Sequence, residues 1–159
     1  ILKNKIDNLE VWVIGDGNLS SEYKKYANEK GISEIIKYYG RVENPEKYIC
    51  NFNVGVLCSF EKLGEGISNS VLEYMACGVP PIITDVGAAR EIIEDGINGF
   101  LFEPGNAKDL AEKIYYLYCN PDLSNNIGEK AKMTVEEKFS YAEYIKKNEN
   151  LVVSKILCF

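Results

Sequence analysis

The sequence predicts an α/β fold: a Rossmann-like parallel sheet flanked by helices, followed by a helical C-terminal segment. Three observations carry that expectation. Short apolar runs alternate with amphipathic stretches, about 20 residues apart, a rhythm that builds right-handed crossovers and parallel strands. Most runs end at glycine or a small polar residue. Some, such as "NVGVLCS" at 53–59, are too apolar to leave one face wet, as expected of strands covered on both sides.

The elements follow in order. "EVWVI" at 10–14 is β-branched and aromatic, and Gly15-Asp16-Gly17 turns the chain after it. A helix then runs to about 30, with Ser20 or Ser21 as its cap and Gly31 as its stop. "EIIKYYG" reads as a second strand, and Pro45 suits the first turn of a short helix over 45–52. After the 53–59 strand comes a helix over 68–77, whose Val71, Leu72, Met75 and Ala76 give an apolar face, with Gly78 beyond it. Pro81 opens the strand "PIIT" at the one position that loses no needed N–H. "AAREII" and "DGINGFLF" give a short helix, a turn and a last strand, and helices fill 107–119, 122–138 and 140–157. Tyr115, Tyr116 and Tyr118 form an aromatic stripe, read as a helix face packing on the sheet.

Composition excludes several classes. The 159 residues fit one domain, 1–159, large enough to bury a sizeable core. No run approaches the roughly 20 apolar residues of a membrane-spanning helix, and no signal peptide is visible. The opening Ile1 suggests an N-terminal edge cut from something longer. A net charge of −6 without a cationic cluster argues against a nucleic-acid partner. The five cysteines (Cys50, Cys58, Cys77, Cys119, Cys158) are odd in number, lack metal-ligand spacing and sit mostly among apolar neighbours, as reduced core thiols of a cytoplasmic protein would. Histidine is absent, so no Ser–His or Cys–His couple exists and acid–base work falls to Asp, Glu, Lys, Tyr or Cys.

In parallel sheets of this type ligands bind beyond the carboxyl ends of the strands, which selects the loops 15–20, 59–69 and 85–90. Gly15-Asp16-Gly17 begins a G-x-G-x-x-G pattern, but Ser20 replaces the third glycine and 37–39 are Lys-Tyr-Tyr where a ribose-binding acid would stand. A tight turn explains it better. No phosphate-binding G-x-x-x-x-G-K-[ST] run is present. The stretch 61–73 is richer. Gly64 and Gly66 allow close backbone approach. Ser68, Asn69 and Ser70 place small polar residues over a helix start, where free N–H groups and the positive dipole end favour phosphate. Glu73, one turn deeper, has the reach to accept two hydroxyls of a vicinal diol such as a ribose. Glutamates near helix starts also simply complement the dipole, and spacing alone leaves both readings of Glu65 and Glu73 open.

A longer pattern decides between them. Glu65 and Glu73 are separated by seven residues and followed by Ala76-Cys77-Gly78-Val79-Pro80 and "PIITD"; "VIGDG", "YYGRV", "DVGAAREII" and "DGINGFLFEPGNAKDLAEKI" stand around them in order. From 11 to 139 the chain resembles the C-terminal, donor-binding half of a GT-B glycosyltransferase, in the retaining group 1 or family four. The resemblance implies a glycosyltransferase of hexosyltransferase type, passing sugar from a UDP- or GDP-sugar to a glycan or lipid-linked acceptor. It also implies polysaccharide biosynthesis, no metal, and a cytoplasmic place, peripheral to the membrane through an acceptor-binding N-terminal domain absent from this chain. By resemblance Glu65 is catalytic beside the donor sugar and Glu73 holds the ribose. Ser68, Asn69 and Ser70 meet the diphosphate, Gly66 belongs to the same donor site, Gly15 and Gly17 line the cleft, and Arg41 with Val42 lies where the family's base-contacting loop lies.

Two departures matter. The family has Gly-Gly where this chain has Gly87-Ala88. Its diphosphate-clamping Arg and Lys come from a strand and helix that would precede Ile1. The chain alone is therefore expected to bind a nucleotide-sugar weakly and to transfer nothing. A non-catalytic nucleotide-sugar-binding module and half of a sugar-nucleotide epimerase on the same fold are the alternative readings.

Overall fold

The computed structural model describes residues 1–59 and 66–139. The expected helix over 140–157 and the residues Gly64, Glu65 and Cys158 lie outside them.

The strands are parallel, as expected, but they form two ladders rather than one sheet. β1 (Val11–Ile14) pairs with β2 (Ile36–Gly40). β3 (Gly55–Leu57), β4 (Pro81–Thr84) and β5 (Phe100–Phe102) pair in chain order. Between them run α1 (Ser20–Glu29), α2 (Glu46–Ile49), α3 (Asn69–Ala76) and α4 (Ala89–Ile92), and α5 (Ala107–Cys119) and α6 (Pro121–Lys138) follow β5. The strand after α2 finds its partner in β4, and no ladder bond joins it to β1 among the described residues.

Local signals set the ends of these elements. Past α1 the Gly31 and Ile32 N–H groups donate to the Asn28 and Ala27 carbonyls, and past α3 Gly78 and Val79 donate to Met75 and Tyr74. This paired pattern satisfies the orphan carbonyls of a helix end. The expected serine cap of α1 is corrected: Leu19 stands at the cap, without a side-chain bond, and Ser20 is already helical. The reason is the preceding turn, in which the Ser20 N–H donates to the Gly17 carbonyl at 3.0 Å.

The core lies around β4, buried along its whole length. Alternate side chains leave a strand on opposite faces. Ile82 accordingly packs with Phe102, Leu117 and Ile127, whereas Ile83 packs with Val71, Met75, Ile92, Leu101 and Ala131. The helix α6 reaches both clusters and crosses the end of α3 so closely that a Cβ on Gly128 would run into the Gly78 carbonyl. Asn98 is buried and fully engaged: its amide donates to the Ile92 carbonyl and Thr134 Oγ1, and its Oδ1 accepts from the Glu94 N–H. The Asp95 carboxylate accepts from the Leu101 N–H at 2.8 Å. Much of "DGINGFLF" therefore serves architecture, fastening α4 to β5.

Three expectations about packing are corrected. The β1–β2 ladder lacks full cover: Trp12, Tyr39, Tyr48 and Phe52 stack on one another at 5.0–6.5 Å, but Val11 and Val13 remain about two-fifths exposed. Among the described residues the helix that follows β2, α2, has only four residues to cover them. The tyrosine stripe mostly faces outward, with Tyr116 alone among the three setting its ring edge-on to Phe100 of β5 at 6.2 Å, within the described residues. Tyr116 and Tyr118 are about half exposed, with Tyr115 stacked on Tyr118, because the buried face of α5 runs through Leu110, Ala111, Ile114 and Leu117. Finally, Cys50, Cys58 and Cys119 are exposed and Cys77 is half-buried, so they are not core thiols.

Candidate functional site

The carboxyl ends of β3 and β4 meet the start of α3. The Thr84 side chain, 3% exposed, stitches the two strands together there: its Oγ1 accepts from the Ser59 N–H at 2.7 Å and donates to the Leu57 carbonyl at 3.1 Å. This fixes the floor of a small cavity of about 20 Å³, lined among others by Ser59, Gly66, Ser68, Val71, Thr84 and Ala88. Such a volume holds about one water molecule. Anything much larger than a water would have to lie across the rim, so the described residues form at most one wall of a site. The described ends of the 59–69 loop (Ser59 and Gly66 to Ser68) meet Val86 and Ala88 of the 85–90 loop here, as the sequence suggested.

The tip of α3 is open. Ser68 occupies the cap with extended backbone, yet its hydroxyl makes no capping bond. Among the described residues the Asn69 and Ser70 N–H groups have no acceptor; the first bonds of the helix are Val71 and Leu72 donating to the Ser68 carbonyl. Such N–H groups at the positive end of a helix dipole attract an anion. A side chain at Gly66 would meet open space, so the backbone there is accessible to a ligand. Glu73, one turn deeper, is half-buried, and its carboxylate has no ion pair among the described residues. Burial, helped by the Glu73 charge, pushes the neighbouring Tyr74 hydroxyl up from its ordinary value.

The second group of predicted residues gathers at the end of the other ladder. Gly15 takes a left-handed backbone (φ 116°), the conformation glycine permits, and its N–H donates to the Gly40 carbonyl at 2.8 Å. That bond sets Gly15 and Gly17 beside Arg41 and Val42. Gly17 faces open space, Arg41 is exposed and Val42 half-buried. No hydrogen bond links this group to the α3 tip among the described residues. The Gly87-Ala88 departure is tolerated by the backbone: Gly87 carries the positive φ of 54°, and Ala88 sits at φ −82° as the cap of α4.

Two features were not foreseen. Thr84 sits in an apolar strand pattern that gives no hint of its strand-bridging hydroxyl. Arg90 is held by Asp85 (Nε to Oδ1, 2.8 Å), which occupies the cation nearest the 85–90 loop. No Lys or Arg lines the small cavity among the described residues. The larger cavity, about 560 Å³ on the α4–α6 flank, carries charges of both signs and the self-satisfied Asn98–Thr134 pair, and it lies apart from the α3 tip.

The family described as "Glycosyl transferases group 1" matches residues 1–134. The chain belongs to the group 1 glycosyltransferases. This glycosyltransferase domain is 35% identical over 134 residues to EpsD of Bacillus subtilis (strain 168), covering 84% of the chain and 34% of EpsD. It superposes on the crystal structure of the C-terminal domain of a group 1 family protein, LpcC, from Francisella tularensis, with a TM-score of 0.75, 26% identity and coverage of 87% of this chain and 73% of that one. A TarM variant from Staphylococcus aureus, crystallised with fondaparinux, α-GlcNAc-glycerol and UDP, gives a TM-score of 0.83 at 29% identity, covering 94% of this chain and 30% of TarM. The chain spans about a third of the length of the curated relatives it matches. Among the described residues no helix is long and apolar enough to cross a membrane.

Proposed function

We propose that this chain is the donor-binding half of a retaining glycosyltransferase that moves a hexose-type sugar from a nucleotide diphosphate-sugar to a glycan or lipid-linked acceptor, with the acceptor bound by another domain of the same protein. The observation that carries this reading is the tip of α3, where among the described residues two N–H groups have no acceptor and the carboxylate one turn deeper has no ion pair. The diphosphate lies over Ser68, Asn69 and Ser70, and Glu73 accepts the ribose hydroxyls. Gly15, Gly17, Arg41 and Val42 line the base side of the cleft. The UDP held by the TarM variant supports a uridine donor over a guanosine one.

In the reaction the bond between the anomeric carbon and the β-phosphate oxygen breaks, and its electron pair leaves with the diphosphate. An acceptor hydroxyl then bonds the same face of that carbon, and its proton passes to the departing phosphate oxygen on that face. Stabilising the departing charge is the principal catalytic demand. The α3 tip meets part of it, worth about 0.3–1 kcal/mol at an exposed helix end. Glu65, outside the described residues, is assigned by resemblance to orient the sugar and steady positive charge on the anomeric carbon.

A Kd of 100 μM requires roughly 5.5 kcal/mol, well beyond one helix end. With no cation on the cavity wall among the described residues, the isolated chain should bind UDP only in the millimolar range, on the order of 1 mM. Titrating ¹⁵N-labelled chain with UDP and GDP tests this. Shifts centred on Asn69 and Ser70, weakened by Glu73→Ala, are expected. Shifts centred on the α4–α6 flank would refute the site, and micromolar binding or sugar transfer by this chain alone would refute the incomplete-clamp account. In the longer protein Glu73→Ala should raise the donor KM more than it lowers kcat, since a ribose contact is equally strong in ground and transition states.

A further inference from the structure

Two cysteines that are far apart in sequence end two different helices at the same place. Cys50 closes α2 and Cys77 closes α3, and their Sγ atoms lie 3.1 Å apart. A disulfide holds its sulfurs at about 2.0 Å, so bonding asks for a movement on the order of 1 Å, within reach of small side-chain rotations. The two partners differ in access. Cys50 is exposed, whereas Cys77 is half-buried. Cys58 and Cys119 are also exposed, but neither faces another sulfur among the described residues.

We propose that Cys50 and Cys77 are a modification site: a dithiol that closes to a disulfide by exchange with a small-molecule disulfide and reopens with thiol. The Cys50 thiolate attacks one sulfur of the small disulfide, whose S–S bond breaks; the released thiolate takes up the proton that Cys50 lost. Cys77 then gives its proton to solvent base and its sulfur bonds Cys50 Sγ, expelling the second small thiolate. Two protein thiols are oxidised by two electrons and one small disulfide is reduced to two thiols. The order of attack follows from the surroundings. Burial, the hydrogen bond to Cys50 and the charges of Cys50, Glu46 and Glu73 push the Cys77 thiol up to about 12, which leaves Cys50 to react first. The bond would tie α2, whose Tyr48 packs on Trp12 of β1, to the far end of the helix that carries the Asn69–Ser70 tip.

Glutathione disulfide is the probe. After exposure a non-reducing peptide map of the full chain should join the Cys50 and Cys77 peptides with the loss of two hydrogens from that pair, whatever glutathione the exposed Cys58 and Cys119 take up; dithiothreitol should separate the two peptides again. Cys77→Ser should stop at a glutathione adduct on Cys50, and Cys50→Ser should form no link and acquire glutathione at Cys77 at least about 10-fold more slowly than Cys50 does in the parent chain. A glutathione adduct persisting on Cys50 of the parent chain, a link made instead through Cys58, Cys119 or Cys158, or a link that survives Cys50→Ser would each overturn the proposal.

Discussion

At the scale of single residues, two helix caps make a controlled comparison. Asn106 heads α5 with its Oδ1 accepting from the Asp109 N–H at 3.0 Å, and its amide also donates to Glu103. Ser68 heads α3 with no capping bond. A cap that makes its bond contributes about 1 kcal/mol; one that does not contributes little. Asn106→Ala should therefore lower unfolding free energy by about 1 kcal/mol, and Ser68→Ala by less than about 0.5 kcal/mol, measured by urea titration. An equal loss at both positions would mean that Ser68 caps its helix in solution and is not held in reserve for a ligand. The polar tip at 68–70 and Glu73 were legible in the sequence because helix-start chemistry is local. The cysteines were not. Apolar neighbours along the chain do not say which way a residue faces, and Cys50, Cys58 and Cys119 turn out to be exposed.

At the scale of elements, the breaks in the chain were readable, whereas the close approaches between elements were not. Gly31, Gly78 and Pro81 fall where the strands and helices change, because each alters the backbone at its own position. Gly128, in the middle of α6, has no such local purpose. Intrinsic propensity favours alanine over glycine in a helix by about 1 kcal/mol, so sequence reasoning alone would forecast that Gly128→Ala stabilises the fold. The structure reverses the sign. The added methyl would meet the Gly78 backbone carbonyl, which is fixed by the end of α3 and has no flexible side chain to move aside. Separating α6 from α3 disturbs the cluster of Val71, Met75 and Ala131, and overpacking of this kind costs about 1–3 kcal/mol. A thermal melt should place Gly128→Ala several degrees below the parent. A rise in Tm would show that the two helices are not in such close contact.

At the scale of the whole molecule, the sequence conveyed the order and direction of the strands but not their division. Each strand announces itself by a few apolar residues, whereas pairing depends on partners far along the chain. The division has a measurable consequence. In the three-stranded ladder, β4 is paired on both edges and buried on both faces. The β1–β2 ladder has two strands, alternating exposed and half-buried positions along β1, and an aromatic cluster on one side. Two strands without full cover are only marginally stable by themselves. Local opening free energies range from near zero up to the global value according to such differences in burial and pairing. Native-state hydrogen exchange should therefore find the amides of Trp12 and Val13 opening at a cost on the order of 2–3 kcal/mol below those of Ile82 and Ile83, roughly a 30- to 150-fold difference in protection. Equal protection in the two ladders would mean that the Trp12–Tyr48–Phe52–Tyr74 run of rings joins them into one cooperative unit. In that case the Gly15–Arg41 group would be as firmly held as the α3 tip. If the difference is found, the group proposed to face the base sits on the looser ladder, and a nucleotide spanning both groups as proposed should raise protection at β1 more than at β4.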